Sequence, residues 1–312
     1  MIGFYILTGY AGSYDVGMVL MWPIFAIPMS LFLIKTGQKE VGALVGVVLS
    51  VVVSFISTGT FHPIIVAVFL LFILAPAFVF GILYHEKVMI PQIVIATTVV
   101  YFAGLIVFIT FAKFLGIDYL ETYFAVLDTT QDIWSQYLSD VEVQKLLPQG
   151  ENVMELYIQL MANTILVAKR TYPATLFTIS LATAAIHLLI VQLIARVRSW
   201  ERPVMREILN VGLSPAAAWV LIILWISMAQ MGNIDTIWTF ATESMVSILF
   251  ILFQVIGLIT IMVMIMKMGA TKIIRVMLSI ISILWLIFNP TLLVVIGCMD
   301  SIFNFRKVKT FI

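Results

Sequence analysis

Polar and ionisable side chains inside long apolar runs are the residues of this sequence best placed to do chemistry, because each is costly to hold in hydrocarbon. His187 and Gln192 lie in one such run, Gln254 in another, and Asp300 near the end of the chain. A neutral imidazole can contact a solute, relay a proton or hydrogen-bond to a neighbouring helix. His187, Gln192, Gln254 and Asp300 are therefore the candidate substrate-binding residues, and His187 as helix-to-helix glue is the competing structural reading. Asp300 has Arg306 or Lys307, about two turns later, as a candidate partner. Glu243 stands at the outer end of its run, within reach of water.

Most other chemistry has no residues to carry it. His85-Glu86-Lys87 lacks the further ligands that a metal site needs, and His62 stands alone. No HExxH, GxSxG, P-loop or GxGxxG motif occurs, so neither an enzyme nor an ATPase is expected. Neither a metal nor a cofactor is expected. The single cysteine, Cys298, excludes a disulfide framework and any CxxC motif. Met262, Met264, Met266 and Met268 alternate, which does not place them on one helix face, so they read as adaptable packing.

A second kind of candidate is the stretch RVRSWERPVMREILNVGLSP within residues 196–213 and just beyond. Its arginines, a tryptophan and the apolar Val204, Ile208 and Leu209 suggest an amphipathic interfacial helix, with Pro203 suited to its first turn. Arg198, Trp200, Arg202 and Arg206 are the candidate partner-binding residues. A plain cytoplasmic anchor is the alternative.

The elements that must position these groups follow from composition. Hydrophobic residues make up 62% of the 312 and charged ones only 11%, against roughly 25% charged in a soluble domain. With a mean hydropathy of +1.14 the chain suits lipid as its solvent. Net charge is +1, and no concentrated basic patch invites nucleic acid. Apolar runs at 16–34, 41–57, 63–83, 88–112, 173–195, 215–231, 243–266 and 273–297 approach the roughly 20 residues a crossing helix requires. The expected fold is thus all-α, a polytopic membrane bundle of about eight transmembrane helices. Residues Met1–Tyr10 are apolar but too few to span, and read as the end of a truncated helix without the features of a signal peptide.

Basic residues set the orientation. Lys35, Lys39, Lys87, the arginines of 196–206, Lys267, Lys272 and Arg275 fall in loops of one parity, whereas 58–62 and 232–242 contain no Lys or Arg. The basic loops are therefore expected in the cytoplasm. At Asn289-Pro290 the last run can be one crossing or two short helices, about 273–288 and 291–304. A hairpin of the two, returning the tail to the cytoplasm, is the expectation adopted here.

Residues 113–172 differ, with Asp118, Glu121, Asp128, Asp132, Asp140, Glu142, Glu151 and Glu155 gathered there. Two amphipathic helices are expected, carrying the stripes Val126, Ile133, Trp134, Tyr137, Leu138, Val141 and Val153, Leu156, Tyr157, Leu160, Met161, Ile165, separated by a turn at Pro148-Gln149-Gly150. They divide the chain into an N-terminal membrane bundle (1–112), an extracytoplasmic segment (113–172) and a C-terminal membrane bundle (173–312). The outer helices read either as a simple connection or as a lid.

The order of these features resembles the YybS-like proteins, the bacterial membrane family DUF2232. The resemblance rests on PIFAIPMSLFLIKTGQKEVGALVG, the amphipathic insertion, WERPVMREI and the ending GCMDSIFNFRK, in which Gly297, Asp300, Phe305, Arg306 and Lys307 fit. That family is similar in its first helices to the S components of energy-coupling factor transporters. The resemblance implies a multi-pass protein of the bacterial plasma membrane that binds or transports a small molecule. An energising membrane partner would do the work. A scaffold that recruits a signalling or envelope partner through 196–213 is the alternative. S components engage the energising module through an Ala-x-x-x-Ala pattern on their first helix; on this reading that helix is largely absent here, and no substrate residue transfers.

Overall fold

A computed structural model describes residues 16–139, 153–197, 204–231, 237–269, 271–307 and 310–311. The N-terminal stub and the Pro148-Gln149-Gly150 turn lie outside the described residues. Each apolar run becomes a helix: α1 Val16–Thr36, α2 Lys39–Thr58, α3 Pro63–His85, α4 Ile90–Phe114, α7 Tyr172–Val197, α9 Pro215–Met231 and α10 Ile237–Lys267. The acidic segment supplies α5 Tyr119–Ser139 and α6 Val153–Arg170, and the arginine-rich stretch supplies α8 Val204–Leu209. The last run divides into α11 Lys272–Phe288 and α12 Pro290–Phe303. Two residues of extended chain, β1 Val211–Gly212, pair in parallel with β2 Thr310–Phe311. Five helices are long and apolar enough to cross a membrane: α2, α3, α4, α7 and α10. The apolar stretches of α1, α9, α11 and α12 are shorter.

Local sequence explains the ends of these helices. Pro91 sits in the first turn of α4, where its missing N–H costs nothing. Asn289 caps α12 through its side chain, which accepts from the Leu292 amide, and Pro290 opens that helix. Within α3 the turn Leu70–Leu74 widens to a π-helix just before Pro76, which cannot donate a backbone hydrogen bond. Between α4 and α5, Asp118 caps the new helix by accepting from the Leu120 and Glu121 amides. The Lys113 ammonium, hydrogen-bonded to Asp118, and those amides hold its carboxyl below the usual carboxylate range.

Two apolar interiors result. Helices α1, α3, α4 and α7 enclose the first, with Phe72, Phe80, Tyr101, Ile93 and Val191 among its buried side chains. Helices α9, α10 and α12 enclose the second around Leu221, Phe253, Ile256 and Val294. Helix α7 also packs against α10 and joins the two. Exposed Leu44, Val48, Val52 and Ile56 on α2 mark a peripheral helix whose outer face suits lipid.

The break at Asn289-Pro290 falls where expected, but the hairpin does not follow. At the α10–α12 contact Gly257 lies against Leu293 and Gly297 against Phe253, so the two helices are antiparallel. A hairpin would carry α11 away from the end of α10 and bring α12 back, which would set α12 parallel to α10. A proline fixes where a helix stops; close contact with α10 fixes which way the next one runs.

The acidic segment holds the two helices expected of it. Helices α5 and α6 pack together, joined by Lys169 to Asp128 and by the same ammonium over the Phe124 ring at 5.7 Å. Tyr123 and Phe124 of α5 meet Tyr172 at the start of α7, and Tyr119 stacks on Phe108. Of the expected stripes, Val126, Ile133, Tyr137, Leu156, Tyr157 and Leu160 are exposed, whereas Ile165 is buried. Aromatic contacts at one end of the pair fasten it to the bundle.

Candidate functional site

His187 is the centre of the first interior. Its ring is fully buried on α7, and three other helices reach it. Phe80 of α3 stacks on it, with centroids 4.5 Å apart and planes 12° off parallel. Ser30 Oγ of α1 lies 2.8 Å from Nε2, and the Tyr101 hydroxyl of α4 lies 3.3 Å from Nδ1. One tautomer gives every donor an acceptor: Tyr101 donates to Nδ1, Nε2–H donates to Ser30, and Ser30 donates to the Ala26 carbonyl at 3.1 Å. Gly81 allows α1 and α3 to close at this level, since an added Cβ would stand 2.7 Å from Leu33 Cβ and 3.0 Å from the Ser30 carbonyl oxygen.

One turn from Tyr101 on α4, Thr97 is fully buried and its hydroxyl has no hydrogen-bond partner. A buried unsatisfied hydroxyl typically costs about 1–3 kcal/mol. Gln192, one turn beyond His187, donates to the Tyr84 hydroxyl at 2.9 Å and is half-buried. These two expected site residues therefore share one interior.

The other candidates stand elsewhere. Gln254 is half-buried on α10. Asp300 forms an ion pair with Arg306, their side chains 2% and 1% exposed. Arg306 Nε donates to Asp300 Oδ2 at 2.7 Å, and its own amide donates to Oδ1 at 3.2 Å. The rest of the guanidinium donates to the Leu209 and Val211 carbonyls at 3.1 and 2.8 Å. The tail thus clasps the segment that links α8 to α9, and the β1–β2 pairing extends the contact. Arg198, Trp200 and Arg202 lie outside the described residues, as does the Arg206 side chain, although Arg206 itself belongs to α8. Among the described residues, no group of three His, Cys, Asp or Glu side chains is placed to hold a metal ion.

Over residues 4–301 the sequence matches the family model described as Predicted membrane protein (DUF2232). The chain belongs to this family. Neither a curated protein nor a solved structure matches it significantly. In this DUF2232 protein the sequence alone marked His187, Gln192 and Asp300, with Arg306 and Lys307 as alternative partners of the last; the structure pairs it with Arg306. The sequence did not mark Ser30, Tyr101 or Thr97, whose hydroxyl-bearing residue types are common in membrane helices and gain meaning only from the helix opposite.

Glu207 was also missed. Its carboxylate accepts from the Ile90 amide at 2.7 Å, so α8 caps the start of α4 across a long stretch of sequence. Glu207→Ala is expected to cost about 1 kcal/mol. Hydrogen exchange checks this: protection should fall at the first turn of α4 and persist at its centre.

His187→Phe separates packing from hydrogen bonding. The variant keeps a ring over Phe80 but leaves the buried Tyr101 hydroxyl without its acceptor, at an expected cost of about 1–3 kcal/mol. Thermal unfolding in detergent measures the loss, and Tyr101→Phe in the same background should restore most of it.

Proposed function

We propose that this membrane protein binds or moves a small solute, in the manner of an energy-coupling factor S component, with the solute site in the interior around His187. The single observation that carries the proposal is the polar cluster at the junction of four helices. A histidine is held by a serine and a tyrosine, an unpartnered threonine hydroxyl lies one turn of α4 from that tyrosine, and the surrounding stretches carry no Asp, Glu, Lys or Arg. An ionisable side chain such as His187 held inside membrane spans is a functional hypothesis by default. The π-turn of α3, one to two turns from Phe80, is a further departure of the kind that accompanies membrane binding sites. The sequence has no P-loop, so uphill movement draws on an ion gradient or on a separate energising partner. The basic loops face the cytoplasm of a bacterial cell in this reading.

Native mass spectrometry of the detergent-purified chain tests it. A stoichiometric small adduct is expected, reduced at least tenfold by His187→Phe. A clean apo mass in every preparation sinks the proposal.

A second reading, a scaffold that recruits a signalling or envelope partner through 196–213, is favoured by the clasp. Arg306 fixes Leu209 and Val211, which gives the arginine-rich stretch a rigid exit. Affinity purification should then recover a partner that is lost when Arg202 and Arg206 are replaced together; recovery unchanged by that replacement removes this reading.

A further inference from the structure

Four helices surround His187, and the stretches that form this interior, residues 23–34, 41–85, 88–112 and 172–195, contain no Asp, Glu, Lys or Arg. Three acidic groups among the described residues have partners of their own: Glu207 at the Ile90 amide, Asp300 with Arg306, and Glu243 with Arg170. A permanently charged guest would meet no counter-ion here. Desolvation of an unpaired charge is the largest penalty a membrane interior imposes. Hydrogen-bonding capacity, by contrast, is present and partly unused.

Thr97 shows where it is unused. The neighbouring threonines of α4 return their hydroxyls to their own helix, Thr98 to the Val94 carbonyl and Thr110 to the Ile106 carbonyl, each at 2.8 Å. On α7, Ser180 and Thr183 do the same with Leu176 and Ile179. Thr97 is fully buried and makes no such bond. It shares the buried face of α4 with Tyr101, one turn away, and Tyr101 is the residue that holds His187. The hydroxyl is therefore presented to the helix interface with both its donor and its acceptor capacity unspent.

We infer that Thr97, together with the His187–Tyr101 pair, forms a subsite for an uncharged hydrogen-bonding solute. This rests on the solute-binding reading above and narrows it to a substrate class. Neutral amides, alcohols and uncharged heterocycles fit the site; carboxylates, phosphates and fixed cations do not.

The test uses the full chain and whatever small molecule it carries from the cell. Native mass spectrometry reads the adduct, and accurate mass after extraction gives its formula and its charge at neutral pH. Thr97→Val removes the hydroxyl at nearly constant shape, Thr97→Ser restores it, and Thr110→Val is the control on the same helix. A neutral adduct lowered at least tenfold by Thr97→Val, and retained in the other two variants, supports the subsite. An adduct with a fixed charge, or a neutral one that Thr97→Val retains, overturns the inference and leaves the solute-binding reading standing. No adduct in any preparation overturns both. Thermal unfolding of each variant confirms that a lost adduct reflects the hydroxyl and not the fold.

Discussion

Replacing Gly257 or Gly297 with alanine displaces the last helix. An added Cβ at Gly257 falls on the Leu293 carbonyl oxygen, and one at Gly297 falls on the Phe253 carbonyl oxygen. Both obstacles are backbone, so no side-chain rotation relieves the overlap; α10 and α12 must separate. Overpacking of a close-packed interior typically costs about 1–3 kcal/mol, and a clash with backbone belongs at or above the top of that range. At roughly 2–4 °C per kcal/mol, each substitution should lower the thermal midpoint by about 6–12 °C. The double variant should cost less than the sum, because the first displacement already opens the second contact. Gly269→Ala is the control: nothing stands within 4 Å of its added Cβ, and its effect should stay within about 0.5 kcal/mol. Cys298, the only cysteine, adjoins Gly297 on α12 and gives a second readout. Its reaction with a maleimide should quicken in both glycine variants. An unchanged midpoint and labelling rate in Gly257→Ala would remove the crossing from the account of this fold.

The same crossing shows what the sequence could not convey. Long charge-free runs announce membrane helices because lipid forces backbone hydrogen bonds to close within each segment. His187 was visible for a related reason: an ionisable side chain inside such a run stands out. Direction and partnership are tertiary facts. Gly257 and Gly297 look like many other glycines of these spans until their helices are brought together, and their contact, not the proline, decides the course of α12. Ser30 and Tyr101 lie 157 and 86 residues from His187 in sequence, so no local pattern joins them. The amphipathic stripes of α5 and α6 were legible as periodicity, but periodicity reports a face without saying what covers it. Tyr123, Phe124 and Tyr172 settle how that pair is fastened.

The clasp at the tail is where electrostatics should dominate. Removing one member of a buried ion pair leaves a charge without its partner and typically costs about 3–5 kcal/mol, more than the intact pair contributes. Arg306→Ala leaves the Asp300 carboxylate enclosed with little beyond the residue-306 amide, and it also strips a donor from each of the Leu209 and Val211 carbonyls. Both losses fall on one segment, so hydrogen exchange at 209–212 should rise together with the fall in thermal midpoint. Asp300→Ala leaves the guanidinium its two carbonyls, so it should destabilise the chain while preserving more of the protection at 209–212. Combining the two substitutions should cost less than their sum, since the second removes the charge that the first stranded. Arg306→Lys separates charge from geometry. Its single ammonium can neutralise Asp300 but cannot reproduce the planar fork that spans a carboxylate and two backbone carbonyls. Stability should recover in part, and protection of the segment should not. If Arg306→Ala and Arg306→Lys both match the parent in midpoint and exchange, the tail rests on the segment without holding it; a loss ordered Ala, then Lys, then parent makes Arg306 the residue that sets the path from α8 into α9.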